Sequence, residues 1–401
     1  MTEAVIVATA RTPIGRMAKG SLKDLRPDDL SAGIITAVLD KVPELDRTEI
    51  EDVLWGCGQP GGESGHNIAR VSAVLAGLDT APGVTVNRYC SSSLMTIRMA
   101  AHAIQAGDGD VFLAGGVEAI SRHQLHMQLA DGPKNPRFAD AEARTAKRAE
   151  GGADVWAPQP GLPDIYIAMG QTAENVAQFE NVSRADQDEF AVRSQNLAED
   201  SLNNGYWEAE ITPVETPDGL VVSDDGIRPG TTLEKISTLK PVFRPDGTVT
   251  AGNACPLNDG AAAVVVMSDT KAKALGLTPL ARIVSSAATG LNPEIMGMGP
   301  VEAVKKALGR AGMSVGDIDL FEINEAFAAQ VLPSARNLGI PIEKLNTRGG
   351  SIALGHPFGM TGARIMTTLI HNLQESDKTF GVETMCVGGG QGMAMVIERL
   401  N

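Results

Sequence analysis

The sequence predicts an α/β protein, and three observations lead to that class. Short apolar segments alternate with longer segments of helical spacing near both ends of the chain. The second part repeats the pattern of the first, and residues 121–250 between them lack it. Alternation at this spacing predicts a mostly parallel sheet whose strands are joined by right-handed crossovers.

The first part of the chain supplies strands and helices in turn. Short β-branched runs indicate strands, and apolar residues spaced three or four apart indicate helices. Gly107 closes the third helix, because glycine readily adopts the left-handed conformation that ends helices. The predicted strands are residues 5–8, 52–55, 85–87 and 111–114, and the predicted helices are residues 30–39, 67–78 and 92–106.

The middle of the chain has a different texture. Pro, Asp, Arg and Trp cluster there, and continuous apolar strands disappear. We interpret residues 121–250 as an inserted, partly irregular loop domain that covers the core. Its acidic run at residues 186–189 is expected to be a solvated helix face. After residue 253 the alternation returns.

An internal repeat links the two ends. Residues 51–56 resemble residues 318–323, and residues 111–116 resemble residues 384–389. The predicted halves are residues 1–120, completed by 251–270, and residues 271–401. The offset places Cys90 opposite the loop around His356, at the ends of strands where parallel sheets carry their sites.

Composition excludes several classes of protein. The 401 residues include 34 Lys and Arg against 49 Asp and Glu, a formal charge of -15, so neither duplex nucleic acid nor an anionic membrane is an expected partner. No apolar stretch is long enough for a transmembrane helix, and the acidic, strand-like start is no secretion signal, so we expect a cytoplasmic protein. Four cysteines make no disulfide framework and include no CxxC pair.

Cys90 is the candidate nucleophile, since it stands between a strand end and a helix start. The positive end of the helix dipole is expected to lower its thiol pKa from about 8.5. Residues 91–93 are serines, which offer N-cap chemistry. A buried structural cysteine is the alternative.

His356 is the candidate base for that thiol. It lies in a glycine-rich loop before a predicted helix at residues 361–373, in the half opposite Cys90. A cysteine–histidine pair is a standard way to activate a thiolate. An ordinary hydrogen-bonded loop histidine is the alternative.

Two further loops carry candidate chemistry. Cys386 ends a strand that runs into a glycine-rich turn, whose exposed backbone N–H groups suit an oxyanion hole, and a second thiol can serve as an acid or base. Asn324 follows an apolar strand at residues 320–323 and could hold a water or donate to an oxyanion. For Cys386 the alternative is a core strand that ends in a tight turn. For Asn324 it is a cap for a helix at residues 325–334.

Two tempting patterns fail on inspection. Residues 56–61 fit G-x-G-x-x-G, yet the fifth position is proline and no helix follows until about residue 67, so the geometry of a dinucleotide site is lacking. His123 and His126 have metal-like spacing but no accompanying Cys or carboxylate pattern. We therefore predict no metal site and no NAD-linked dehydrogenase.

Taken together, the loops resemble the thiolase family (acetyl-CoA acyltransferases and acetyltransferases) over essentially the whole chain. The resemblance is carried in order by residues 11–15, the Cys90 loop, and residues 251–262, 324–327, 355–357 and 386–390. It implies a duplicated, five-layered αβαβα core with an inserted loop domain. It also implies a homodimer or homotetramer.

The resemblance assigns a role to each loop. Cys90 would take the acyl group as a thioester, and His356 would activate it. His356 with a water held by Asn324 would form one oxyanion hole, and the N–H groups of Cys90 and Gly388 a second. Cys386 would move the proton at the α-carbon of acetyl-CoA.

Coenzyme A is expected as a substrate, and no tightly bound cofactor is expected. The family pattern places Arg228 near the adenine, although an ordinary surface arginine is the alternative. Ala168 stands where some acetoacetyl-type members carry His, and Cys255 stands where Ser is common in the family. The other residues expected to contact the acyl-CoA are Met169, Ala326 and Phe327.

These departures favour thiolytic cleavage of 3-ketoacyl-CoA, as in fatty acid β-oxidation, over strict acetoacetyl-CoA specificity. A biosynthetic acetoacetyl-CoA thiolase remains an alternative, as does a non-catalytic acyl-CoA or sterol carrier on the same fold. A decarboxylating ketoacyl synthase would pair two histidines with the cysteine, where this chain has Cys386.

Overall fold

The computed structural model describes residues 2–125 and 133–401 of the chain. The strands are β1 (Ala4–Arg11), β2 (Gly15–Arg16), β3 (Asp52–Gly56), β4 (Gly83–Val86), β5 (Val111–Ala119), β6 (Val214–Thr216), β7 (Gly219–Val221), β8 (Asn258–Ser268), β9 (Ala281–Gly290), β10 (Leu320–Ile323), β11 (Phe380–Val387) and β12 (Gln391–Arg399). The helices are α1 (Pro27–Leu39), α2 (Ile68–Leu75), α3 (Ser92–Ala106), α4 (Ile120–Leu125), α5 (Ala139–Ala149), α6 (Met169–Phe179), α7 (Arg184–Asn203), α8 (Leu233–Ile236), α9 (Asp269–Ala274), α10 (Gly299–Ala311), α11 (Ala328–Leu338), α12 (Ser351–Leu354) and α13 (Thr361–Glu375).

Ten strands form one mixed sheet in the order β10-β11-β12-β9-β1-β8-β5-β3-β4, with β2 paired to β8. Strands β1 and β9 join its two halves through a short antiparallel contact. The same pairings recur in each half. Strand β3 runs parallel to β5 as β10 does to β11, and β8 runs antiparallel to β5 as β12 does to β11. The repeat predicted from the sequence is therefore visible in the sheet.

Three apolar clusters define five layers. One cluster packs α1 and α2 on the outer face of the first half, and a second packs α10 and α11 on the outer face of the other half. The third fills the centre, where α3 and α13 contact the inner faces of both halves. Successive residues of β8 face different clusters, because side chains alternate across a strand. The predicted αβαβα core is confirmed.

The predicted secondary structure agrees with the observed strands and helices, but the predicted strand direction is wrong in part. Parallel pairing is confined to β3 with β4 and β5, and to β10 with β11, among the described residues. The central strands are antiparallel, because the chain returns to each half by routes other than a short crossover helix. In the first half that route is the long loop region.

The acidic run in the loop region is only in part the solvated face that the sequence suggested, because Asp186 and Glu189 are exposed and Asp188 is not. Asp188 is buried, accepts a hydrogen bond from Asn253 Nδ2 at 2.9 Å, and pairs with Arg184 at 2.7 Å. It ties α7 to the loop that precedes β8. The boundaries predicted for the loop domain, residues 121 and 250, stay a prediction. In the described part of the chain, no helix is long and apolar enough to cross a membrane.

Candidate active site

Cys90 lies in a tight turn between β4 and α3. The preceding residue, Tyr89, has a φ of 44°, a left-handed backbone conformation that is costly for a bulky residue. Ser92 helps to hold the turn, because its Oγ accepts from the N–H of Arg88 at 2.9 Å and donates to the carbonyl of Tyr89 at 2.7 Å. The strain at Tyr89 therefore presents Cys90 at the start of the helix.

The serines after Cys90 do not cap α3 in the way the sequence suggested. Ser91 stands at the N-cap, but its side chain makes no capping bond. Ser93 Oγ instead accepts the N–H of Ala363 at 3.0 Å. This bond joins the first turns of α3 and α13, and it brings the Cys90 turn next to the loop of His356.

The expected lowering of the Cys90 pKa is wrong. Burial of the thiol raises its pKa to about 11, while the backbone N–H groups of Gly388 and of Cys90 itself act in the opposite direction. Loss of solvation therefore outweighs the helix dipole. The turn after β11 reaches Cys90, because the Gly388 N–H lies close enough to its sulfur to lower the thiol pKa.

Three of the four thiols form a cluster. Burial raises the pKa of both Cys255 and Cys386, and each is raised further by the nearby Cys90 thiol. Cys386 is fully buried at the end of β11. At neutral pH these thiols are protonated, so each has a proton to give.

The hydrogen bonds of His356 fix its tautomer. Thr361 Oγ1 donates its single proton to the carbonyl of Pro357 at 2.7 Å, and it also lies 2.7 Å from His356 Nδ1. Nδ1 must therefore carry the ring proton and donate to Thr361. Nε2 keeps its lone pair and accepts from Asn324 Nδ2 at 3.2 Å.

His356 is also held neutral. Its exposed fraction is 1%, and burial, with a smaller effect of the nearby Arg364 cation, lowers its pKa to about 3. A neutral imidazole whose Nε2 carries no proton is the form that can take a proton from a thiol.

A chain of polar groups orients Asn324. Its Oδ1 accepts from Ser351 Oγ at 2.6 Å, and Ser351 Oγ accepts from Arg364 Nη2 at 3.0 Å. These bonds identify the oxygen end of the amide, so the Nδ2 end points at His356. The helix-cap alternative does not apply, because α11 begins at Ala328.

The residues predicted to contact the acyl-CoA fall into two places. Cys255 donates its backbone N–H to the carbonyl of Ala326 at 3.0 Å, and Ala254 bridges Phe327. The loops at residues 250–255 and 324–327 thus run side by side. Met169 lies at the start of α6, 3.8 Å from where a Cβ on Gly388 would stand.

Arg228 lies apart from the thiols, on the exposed loop after β7. Its backbone N–H donates to Gln195 Oε1 at 2.9 Å. No hydrogen bond or ion pair holds its guanidinium among the described residues. Partial burial, and after it the nearby Arg16 cation, lowers its pKa. Two unpaired cations therefore lie together on a surface of a strongly acidic chain.

Sequence reasoning missed the polar groups behind these side chains. Thr361, Ser351 and Arg364 orient His356 and Asn324, and Glu118 holds the neighbouring loops. The only available signal was a carboxylate near the end of the otherwise apolar strand β5.

Metal binding finds no support in the described residues. No group of three or more His, Cys, Asp or Glu side chains there could hold a metal ion. His126, the partner of His123 in the discounted pair, lies outside the described residues.

The fold and site define a class of thiol-dependent acyl-transfer enzyme with two similar halves. The family model for the thiolase N-terminal domain matches residues 4–270, and the model for the thiolase C-terminal domain matches residues 277–399. The chain therefore belongs to the thiolase family and is an acyltransferase.

Similar proteins extend over the whole chain. It is 47% identical over 410 residues to a 3-ketoacyl-CoA thiolase of Aeromonas hydrophila subsp. hydrophila, with 100% of both chains covered. It is 45% identical over 412 residues to a 3-ketoacyl-CoA thiolase of Bacillus subtilis, covering 99% of this chain and 100% of the relative. Among solved structures, the acetyl-CoA acetyltransferase of Bacillus anthracis matches with a TM-score of 0.85 and 39% identity, covering 100% of this chain and 99% of the other.

Proposed function

We propose that this chain cleaves 3-ketoacyl-CoA with coenzyme A, giving acetyl-CoA and an acyl-CoA shortened by two carbons. The observation that carries the proposal is the close approach of Gly388 to the Cys90 turn: a Cβ on Gly388 would stand 3.4 Å from the Tyr89 side chain, and the Gly388 N–H lowers the Cys90 pKa. The relatives described above, which are 3-ketoacyl-CoA thiolases, support this substrate class. The reaction belongs to fatty acid β-oxidation.

The first half of the reaction transfers the acyl group to Cys90. The Cys90 proton passes to His356 Nε2 as the sulfur attacks the keto carbon. The C2–C3 bond then breaks, and its electron pair forms the enolate of acetyl-CoA. Cys386 gives its proton to C2 of this enolate, and acetyl-CoA leaves.

The second half releases the shortened acyl group. The thiol of coenzyme A attacks the Cys90 thioester and passes its proton to the Cys386 thiolate. The Cys90 sulfur leaves and takes back the proton held on His356 Nε2, so both thiols are restored. The Gly388 and Cys90 N–H groups would hold the thioester oxygen as it gains charge. His356 with a water held by Asn324 would hold the enolate oxygen of acetyl-CoA in the first half. Donors of this kind are each worth on the order of 3 kcal/mol in a transition state.

The acid–base properties of Cys90 and His356 constrain when the proton moves relative to the attack of the sulfur. With the Cys90 pKa at about 11 and the His356 pKa at about 3, the proton stays on sulfur in the resting enzyme. Attack and proton transfer are therefore expected to occur together, once a substrate carbonyl is in place. A resting thiolate–imidazolium pair is not part of this mechanism.

Coenzyme A and the acyl chain would bind at opposite ends of the site. The exposed guanidinium of Arg228, with Arg16 nearby, suits the phosphates of the nucleotide. Ala168, at the N-cap of α6, offers less bulk than histidine and favours chains longer than acetoacetyl. A homodimer or homotetramer stays a prediction.

Two measurements test the proposal. Turnover of a graded series of 3-ketoacyl-CoAs should fall at least about a hundredfold in Cys90→Ala and in Cys386→Ala. On incubation with acyl-CoA alone, the wild type and Cys386→Ala should gain the mass of one acyl group on Cys90, and Cys90→Ala should not. An acyl adduct that survives in Cys90→Ala would remove the nucleophile assignment. Turnover of acetoacetyl-CoA and of no longer chain would favour the biosynthetic alternative. Binding of acyl-CoA without turnover would favour the non-catalytic carrier.

A further inference from the structure

A cavity lies in the loop region, and none of the cysteines lines it. Its volume is about 440 Å³, and it is bounded by α5, α6 and residues 151–159. Four cationic side chains line it, in a chain whose formal charge is -15. These are Arg144, Lys147, Arg148 and Arg244.

Two of these cations are held by uncharged groups. Arg244 is only 3% exposed, and it donates to Gln171 Oε1 at 2.8 Å and to Asn175 Oδ1 at 2.7 Å. Arg148 donates to the same Asn175 oxygen at 3.2 Å and to Gln178 Oε1 at 3.0 Å. The amides lie on one face of α6, four and three residues apart. They fix the two guanidinium groups side by side without neutralising them.

The carboxylates near this pair are engaged elsewhere or exposed. Glu294 lines the cavity, but Trp156 Nε1 donates to one of its oxygens at 2.7 Å and the N–H of Asp164 to the other at 3.0 Å. Asp154 is exposed. Within the described ranges, neither Arg148 nor Arg244 has an ion-pair contact with a carboxylate. Burial lowers the pKa of both, and Arg148 lowers that of Arg244 further, although nearby carboxylates act in the opposite direction. Besides Glu294 and Asp154 these are Glu174, which is bonded to residues 248 and 249, and the exposed Asp246.

One wall of the cavity is apolar. Trp156 packs edge-to-face on Phe179 with the ring centroids 5.7 Å apart, and the neighbouring Val155 is 62% exposed. A ligand with an anionic head and a short apolar body would satisfy both walls. Arginine pairs of this kind favour carboxylate or phosphate, which accept two parallel hydrogen bonds.

We propose that this cavity is a binding site for an organic carboxylate, with its head on Arg148 and Arg244 and its body along Val155 and Trp156. The carboxylate has two sources, a free molecule or the far end of an acyl-CoA chain. The second source rests on the proposed function, and it is favoured by residues 164–169, which contact both sites. Asp164 bonds Glu294, and Ile165 lies 3.6 Å from where a Cβ on Gly389 would stand.

Binding is tested by titrating the purified chain with octanoate and following tryptophan fluorescence. Trp156 lines the cavity, while Trp55 and Trp207 are buried elsewhere. Octanoate should give a saturable change, and uncharged octanamide should not. Arg148→Gln should weaken octanoate binding about tenfold to a hundredfold, since it removes one charged hydrogen-bond donor.

Matched variants keep the test decisive. Arg137→Gln removes the same charge from an exposed position of the loop region and should bind octanoate as the wild type does. Lys147→Gln, on the exposed side of α5, should weaken binding even if Arg148→Gln fails to fold. Equal binding of octanamide, no saturable response to octanoate, or unchanged affinity in both cavity variants would overturn the site.

Kinetics then identify the source of the carboxylate. If it belongs to the substrate, Arg148→Gln should raise the KM of a 3-ketoacyl-CoA that ends in a carboxylate about tenfold and leave that of the methyl-ended chain unchanged. Octanoate binding with unchanged KM values supports a free carboxylate. Failure to turn over either substrate would count against the proposed function and leave the titration to decide the site.

Discussion

Thr361 holds His356 in one tautomer through a hydroxyl that has only one proton to give. That proton goes to Pro357, so the hydroxyl oxygen is left to accept from Nδ1. In Thr361→Val the Nδ1–H would be buried without an acceptor, and the other tautomer would put a proton on Nε2. We expect kcat for thiolysis to fall about tenfold to a hundredfold with a smaller change in KM, because an unsatisfied buried donor costs ~1–3 kcal/mol.

Thr361→Ser is the matched control, since serine keeps the hydroxyl and loses only the methyl group. It should recover most of the lost kcat. Equal losses in the valine and serine variants would point to packing rather than to the tautomer, and full activity in the valine variant would show that the hydrogen bond is dispensable.

At the residue scale, sequence reasoning predicted the groups that react better than the groups that position them. Cys90 and Asn324 stand out because each follows a strand end, and His356 and Cys386 because glycine-rich segments lie beside them. Thr361 is one polar residue at the start of a helix, and its partner is known only once the loop is folded. The pKa of Cys90 was mispredicted for a related reason, because burial is a property of the whole fold.

Glu118 connects two loops at the end of strand β5. Its Oε2 accepts the N–H groups of Gly58 at 2.8 Å and Gly359 at 2.9 Å, and its Oε1 accepts that of Gln59 at 3.1 Å. Gly359 lies three residues after His356 in the sequence. Burial raises the pKa of Glu118 to about 7, so the three bonds are strongest above that pH.

We therefore expect Glu118 to act as a positioning residue with a visible titration. In the wild type, kcat should fall as the pH drops through about 7, whereas His356, with a pKa of about 3, contributes nothing there. Glu118→Gln places an amide N–H₂ against backbone donors, so its kcat should be low and lack this limb. Glu51→Gln, at an exposed position just before β3, should keep the wild-type profile. An acidic limb that persists in Glu118→Gln would assign it to another group.

At the element scale, the pattern of apolar residues predicted which segments are strands but not in which direction they run. The residues of β8 are buried on both faces, which explains its continuous apolar run. The same run would suit a parallel or an antiparallel neighbour. Its direction depends on where the chain re-enters the sheet after the loop region, and no local pattern records that.

At the scale of the whole molecule, the central layer contains buried charges as well as apolar side chains. Glu322 is 2% exposed and Arg364 is 1% exposed, and they attract each other across the layer. Burial nevertheless raises the pKa of Glu322 to about 8. The repeat of the two halves was predictable from the sequence, but this charge pair was not, because each partner comes from a strand or helix that reads as ordinary core.

The raised pKa of Glu322 predicts how stability depends on pH. The native state keeps a proton on Glu322 up to about pH 8, whereas the unfolded chain releases it near 4.5, so the contribution of this group to stability is lost as the pH rises through that interval. His356 acts in the other direction: its native pKa of about 3 lies below the usual 6.5, so its contribution is lost as the pH falls from 6.5 towards 3. The histidine effect is the same in the wild type and in a Glu322 variant, so the difference between the two proteins at pH 5 and at pH 8 isolates the Glu322 effect.

Glu322→Gln removes that titration while keeping the size of the side chain. Between pH 5 and pH 8 the free energy of unfolding of the wild type should fall relative to that of the variant by on the order of a few kcal/mol. Urea unfolding at the two pH values measures this difference. Glu343→Gln, at an exposed position with no hydrogen bond or ion pair among the described residues, should follow the wild type. If Glu322→Gln and the wild type lose the same stability over this range, the prediction is wrong and Glu322 is ionised in the native state. Attraction to Arg364 would then offset the cost of burying the charged carboxylate.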